Sequence, residues 1–81
     1  MLKLDNIVRV LDSLPSCTEL FMNTETALHV VAILSENPVD RYPIHTVKLV
    51  NVMDIYLGNN RIVIDPQLAF GVVRANCQFE L

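Results

Sequence analysis

The stretch that decides the first half of the fold is LDNIVRVLDSLP, residues 4–15. Its apolar residues recur at intervals of three and four, as they do on one face of an α-helix. Asp5, Arg9 and Asp12 fall on the other face. Pro15 cannot continue a helix and biases the residue before it away from helical geometry. The pattern therefore predicts a helix over residues 3–14.

Beyond Pro15 the sequence becomes rich in β-branched residues. Residues 17–23 predict a short strand. Residues 27–35 are apolar on both alternations, which is typical of a central strand buried on both faces. The alternative is a buried helix capped by Thr24 or Thr26. We favour the strand, because Val and Ile lose side-chain freedom in helices.

The middle of the chain predicts a loop followed by a hairpin. Residues 37–43 contain two prolines and form the clearest loop. Residues 44–57 predict one long strand, which returns through residues 61–65 after a tight turn. If the turn is Gly58-Asn59, Tyr56 faces Arg61 as an aromatic–cation pair. The register shifted by one would place two aspartates opposite each other, which like charges disfavour.

The last nine residues alternate strictly between apolar and polar side chains. This alternation predicts a half-buried antiparallel strand that lies at a sheet edge. An edge strand has unpaired backbone groups, which can pair with a strand from another protein.

These elements predict a single domain over residues 1–81 of the α+β class. The N-terminal helix packs on a four- to five-stranded antiparallel sheet. In outline, one helix followed by five short strands resembles the SH3-like and Sm-like barrels. That resemblance implies a sheet curled into a small SH3-like barrel as an alternative to an open one.

Composition excludes several classes of protein. Hydrophobic residues make up 52% of the chain and charged residues only 19%, which excludes a disordered chain. The net charge of −3 and the scattered basic residues disfavour nucleic acid as a partner. The sequence shows neither a signal peptide nor a membrane-spanning segment. We therefore expect a soluble cytoplasmic protein with two reduced cysteines.

The sequence contains no catalytic or metal-binding motif. No serine lies in a Gly-x-Ser-x-Gly turn, and the Cys and His spacings match no structural zinc site. Two isolated glycines cannot form a phosphate-binding loop. We expect no catalytic residues, no metal and no cofactor. A small hydrolase or a metal enzyme is the third and weakest hypothesis.

The leading hypothesis is a non-enzymatic protein-interaction module that self-associates or binds a partner protein through the C-terminal sheet edge and the proline-bounded loop. A chain this small and apolar cannot hide all its apolar surface, and exposed apolar patches mark interfaces. The alternative is a monomer with an apolar exterior. Such a domain could serve as an adaptor or inhibitor, for example as a viral or mobile-element accessory protein. The predicted partner-binding residues are Asp40, Arg41, Tyr42, Arg74, Asn76, Gln78 and Phe79.

The second hypothesis is an oligomeric small-ligand-binding protein. Its pocket would lie at a subunit interface, where arginine and aromatic side chains are common anchors. The residues predicted to line it are Arg41, Tyr42, Tyr56 and Arg61.

Overall fold

The computed structural model describes residues 2–50, 52–69 and 72–75. These residues contain two helices and five strands. Residues 49, 52 and 72–75 are described by their backbone. The elements are α1 (Leu4–Ser13), β1 (Glu19–Met22), α2 (Thr24–Glu36), β2 (Ile44–Leu49), β3 (Val52–Leu57), β4 (Asn60–Ile64) and β5 (Val72–Ala75). The α+β class is therefore confirmed.

The sheet is open and mixed, which corrects two expectations. Its strand order is β2-β3-β4-β1-β5, so β2 and β5 form its two edges and the sheet does not close into a barrel. The sheet is also not wholly antiparallel, because β1 and β4 are parallel, with Glu19 beside Arg61. Parallel neighbours need a long connection between them, and here it consists of α2 and the β2–β3 hairpin.

The helix α1 confirms the N-terminal prediction. It buries Ile7 and Leu11, one turn apart, against the sheet. Leu14 leaves the helical conformation directly before Pro15, and its N–H donates to the Leu11 carbonyl at 3.2 Å. The helix therefore ends where the proline requires it to end.

Residues 24–36 form a helix, so the favoured strand is wrong. Asn23 starts α2, because its Oδ1 accepts a hydrogen bond from the Thr26 N–H at 2.8 Å. The helix buries Ala27, Val30 and Leu34 on one face. Poor helix propensity costs about 0.5 kcal/mol for each β-branched residue. Burying one aliphatic side chain contributes about 1.5–3 kcal/mol, so packing overrides propensity.

The predicted long strand over residues 44–57 is two strands. Leu49 and Val52 are Cα partners in an antiparallel pair, so the chain reverses between β2 and β3. Val50 continues the apolar pattern although it is 93% exposed, which hides the reversal from pattern analysis.

The β3–β4 hairpin has the predicted register. Tyr56 lies opposite Arg61 and Leu57 opposite Asn60, so Gly58-Asn59 is the two-residue loop. Gly58 has φ +62°, which glycine adopts without steric cost. A Cβ at this position would also come within 2.9 Å of the Arg41 carbonyl oxygen.

The core lies between the two helices and one face of the sheet. Alternate residues of the strands point into it, so cross-strand partners such as Ile55 and Ile62 are both buried. Among the residues whose burial the structure describes, the buried hydrophobic ones are Ile7, Leu11, Leu20, Met22, Ala27, Val30, Leu34, Ile55, Leu57 and Ile62.

Candidate functional site

The 37–43 loop is fastened to α1 by a polar cluster of Asp12, Arg41 and Tyr42, here called the Asp12 cluster. Arg41 donates through Nε and Nη2 to the two Asp12 oxygens at 2.9 and 2.8 Å. The Tyr42 hydroxyl donates to Asp12 Oδ1 at 2.6 Å, and the guanidinium lies 5.4 Å from the Tyr42 ring centroid. Two predicted partner-binding residues therefore make intramolecular contacts, whereas Asp40 is exposed.

The contacts within the Asp12 cluster shift the pKa values of its three side chains. The hydrogen bonds from Arg41 and then Tyr42 lower the pKa of the Asp12 carboxyl from 3.8 to about 2. The same carboxylate raises the pKa of Arg41. Burial and then the hydrogen bond to Asp12 raise the pKa of Tyr42. Asp12 is thus an anion and Arg41 a cation at neutral pH.

Backbone contacts hold the same loop against the β3–β4 turn. The Gly58 N–H donates to the Pro43 carbonyl at 3.0 Å, and within the loop the Tyr42 N–H donates to the Val39 carbonyl at 3.0 Å. The loop is therefore anchored at both its helix side and its sheet side, and does not form a free binding tip.

The turn between α1 and β1 is fixed by Thr18 and Asn60. The Thr18 N–H donates to Asn60 Oδ1 at 3.1 Å, and the Thr18 hydroxyl donates to the Pro15 carbonyl at 2.6 Å. Cys17 has φ 61°, a left-handed conformation that is uncommon for a residue with a side chain. Asn60 is only 5% exposed, so this bond is made in a largely dry environment.

A polar cleft of about 170 Å³ opens where these three segments meet. Arg41 is the only charged residue that the described part of the chain contributes to its lining, and Tyr56 and Arg61 do not line it. This space is called the polar cleft below. It is lined by Leu11, Leu14, Pro15, Ser16, Arg41, Tyr42, Asn59 and Asn60.

The sheet face opposite the helices is a second candidate surface, here called the open face. It combines aromatic and aliphatic side chains with an ion pair, and no described element covers it. Most of its side chains are half-buried, and His45 is exposed. Its residues are Glu19, Phe21, His45, Val47, Asp54, Tyr56, Arg61 and Val63.

Two charged residues of the open face, Glu19 and Arg61, pair across β1 and β4. Arg61 Nη2 lies 3.4 Å from Glu19 Oε2, with side-chain exposures of 32% and 25%. Arg61 Nε is buried and has no hydrogen-bond partner among the described residues. Tyr56, predicted to stack on Arg61, has its ring centroid 6.4 Å from that of His45. The four predicted ligand-binding residues are thus divided between the polar cleft and the open face.

The remaining predicted site residues belong to the C-terminal segment. Arg74 lies in β5, where its backbone pairs with Leu20. Asn76, Gln78 and Phe79 lie outside the described residues. Sequence patterns alone pointed to neither Asp12 nor Asn60 as a site residue, because each meets its partner through a contact between distant parts of the chain.

A third surface feature is a small apolar groove between the helices. It encloses about 70 Å³ above Met22 and Leu57, and Val10, which is 43% exposed, lies along it. In the described ranges, no three His, Cys, Asp or Glu side chains converge as a metal site would require. None of the helices described here is long and apolar enough to cross a membrane.

Comparison with known proteins adds no relative: no family model, no curated protein and no solved structure matches this chain.

Proposed function

We propose that this chain is a non-enzymatic protein-interaction module that self-associates through the open face. The observation that carries the proposal is the asymmetry of the sheet, which has helices on one side and no described element on the other. A solvated face of a sheet usually carries polar side chains. Here half of the eight residues of that face are apolar or aromatic, namely Phe21, Val47, Tyr56 and Val63.

The chemistry of the open face is typical of an interface. Aromatic residues and arginine are enriched at the centres of protein interfaces, where they supply most of the binding energy. Phe21 and Tyr56 provide the aromatic area, and Arg61 provides a charged donor whose Nε lacks a partner in the described chain. An acceptor from a second copy would satisfy that donor, and an unsatisfied buried donor costs about 1–3 kcal/mol.

The sheet edges give a second route to the same assembly. Among the described strands, β5 pairs only with β1. Its other side therefore offers backbone groups to an added strand. The β2 edge differs because it carries the exposed Lys48, a residue type that discourages edge pairing. We therefore place any edge contribution at β5.

Sedimentation at increasing protein concentration tests the proposal. We expect the wild-type chain to exceed its 9.2 kDa monomer mass as concentration rises. Phe21→Ser should shift the equilibrium toward monomer because it removes an aromatic anchor from the open face. Leu28→Ser is the matched control, since Leu28 is 60% exposed on α2 and lies on the other side of the sheet.

Two results would contradict self-association through the open face. One is a wild-type chain that sediments as a monomer at every concentration. The other is an equal loss of assembly in the Phe21 and Leu28 variants. Circular dichroism of both variants checks that each keeps its fold.

A small-ligand-binding protein is the second candidate function, favoured by the polar cleft. Arg41 and Tyr42, two of the four predicted ligand-binding residues, both line that cleft. A ligand that binds the folded but not the unfolded chain raises the melting temperature of the protein. A thermal-shift screen of metabolites therefore tests this function.

A further inference from the structure

The side chain of Asn60 presents unused donors at the polar cleft. Asn60 is more than nine-tenths buried, and its Oδ1 is occupied by the Thr18 N–H. A backbone N–H must face an oxygen, so this bond fixes the orientation of the amide and leaves the NH₂ on its other branch. Among the described residues the only side-chain hydrogen bond of Asn60 is the one that its Oδ1 accepts, and the residue lines the cleft.

Further donors surround the same space. Arg41 has five N–H groups and gives two to Asp12, which leaves three. Ser16 adds a hydroxyl and Asn59 an exposed amide. Arg41 is the only charged group among the described lining residues, because Asp12 lies outside the lining. The cleft is therefore rich in donors, while the charge of Arg41 is balanced by the Asp12 carboxylate to which it donates.

We propose that the polar cleft binds a carboxylate group, from a small organic acid or from the end of a peptide. A carboxylate offers about four acceptor positions in one plane, and charge-assisted hydrogen bonds are about twice as strong as neutral ones. Arginine matches that planar geometry better than a point charge does. Leu14 and Pro15 give an attached carbon chain an apolar wall.

The volume fits such a ligand. About 170 Å³ exceeds the space of a single ordered water, which occupies about 30 Å³ in the liquid. It is smaller than the roughly 300–1,000 Å³ of a drug-sized pocket. This site is independent of the open face, since the two surfaces share no residue.

Nuclear magnetic resonance titration tests the proposal directly. Acetate, succinate and inorganic phosphate are added separately to the labelled protein, and the Asn60 side-chain NH₂ signals are followed. We expect saturable shifts with acetate or succinate at Asn60, Ser16 and Asn59. A trialanine peptide with a free C-terminus, compared with its amidated form, distinguishes a peptide source from a free acid.

Asn60→Asp is the decisive variant. The new side chain still offers an oxygen to the Thr18 N–H, but it replaces the NH₂ donors with a negative charge. We expect carboxylate affinity to fall at least about tenfold, as the loss of one hydrogen bond to a charged group predicts. Asn6→Asp is the matched control, because it makes the same chemical change at an exposed position in the first half of α1.

Ser16→Ala provides a second variant if Asn60→Asp does not fold, since Ser16 is exposed and its loss should weaken binding about threefold. Three results would overturn the proposal: no saturable shift at the cleft, tighter binding of phosphate than of either carboxylate, or unchanged affinity in the folded variants. Each result is measured from resonance shifts at individual residues of the cleft. It can therefore be distinguished from a change in sedimentation, which tests self-association through the open face.

Discussion

The two faces of the sheet are built by the same strands but differ in how deeply their side chains are buried. On the helix-covered face, Met22, Leu57 and Ile62 are at most 1% exposed. On the open face their neighbours in sequence, such as Phe21 and Val63, are only half-buried. Because strand side chains alternate, one set of residues forms the core while the next set remains available for contact.

Within a single strand, the buried positions and the half-buried positions therefore differ in how much they stabilise the fold. Core side chains contribute to stability in proportion to the apolar area that they bury. The open-face side chains bury less and therefore contribute less to stability, so their character is less constrained by folding. The proposed self-association would place the two aromatic residues and the ion pair at these positions in contact with a second copy.

The largest expected effect comes from truncating matched residues on the two faces. Leu57→Ala leaves a cavity beneath the helices and should lower the free energy of unfolding by about 2–5 kcal/mol. Val63→Ala on the open face should cost about 1 kcal/mol or less. Urea unfolding followed by circular dichroism measures both. Equal losses would show that the open face is buried as deeply as the covered one.

A smaller effect is expected at the turn that joins β3 and β4. Gly58→Ala introduces a Cβ at a positive φ and within 2.9 Å of the Arg41 carbonyl oxygen. The strained conformation costs about 1–2 kcal/mol, and displacement of the 37–43 loop adds to it. Asn59→Ala, at the next and exposed position, is the control and should change stability by less than about 0.5 kcal/mol.

The smallest effect is expected at the exposed Asp12 cluster, and it depends on pH. The pKa of Asp12 is lowered from 3.8 to about 2 in the folded chain. A carboxyl with a lowered pKa stabilises the folded state above its unfolded pKa, and this stabilisation is lost as pH falls through the folded value. The stability difference between wild type and Asp12→Asn should therefore shrink between about pH 4 and pH 2.

Two comparisons sharpen that pH measurement. Tyr42→Phe removes one of the two hydrogen-bonding partners of Asp12 and should give an intermediate pH dependence. High salt should reduce the difference at every pH, because exposed charges are screened by solvent and ions. A pH-independent difference between wild type and Asp12→Asn would show that the cluster does not stabilise the fold through charge.

Local patterns were sufficient to predict α1 and the β3–β4 hairpin. Pro15 and the spacing of the apolar residues define the helix. The wrong hairpin register is disfavoured because it would place two aspartates, which carry like charges, opposite each other. Both signals act over a few residues, where propensity and pairing rules are reliable. The same rules could not identify α2, because its apolar content on all sides satisfies a buried strand as well as a buried helix.

The sheet order and the candidate site depend on contacts between distant residues. Nothing near Glu19 indicates that it lies beside Arg61 in a parallel pair, and nothing near Arg41 indicates Asp12 as its partner. The predicted loop residues Arg41 and Tyr42 do lie at a cleft. The residue that adds a side-chain amide to this cleft, Asn60, is the first residue of β4, and the sequence pattern indicates only its place in the hairpin.

The position of β1 has a consequence for how the chain folds during synthesis. This strand lies inside the sheet, yet its neighbours β4 and β5 both follow it by about forty residues or more, as the pairing of Glu19 with Arg61 and Ala75 requires. Such high contact order slows folding, because long loops must close before their contacts form. In the nascent chain, β1 therefore has neither of its two strand partners until residues 60–75 have been synthesised.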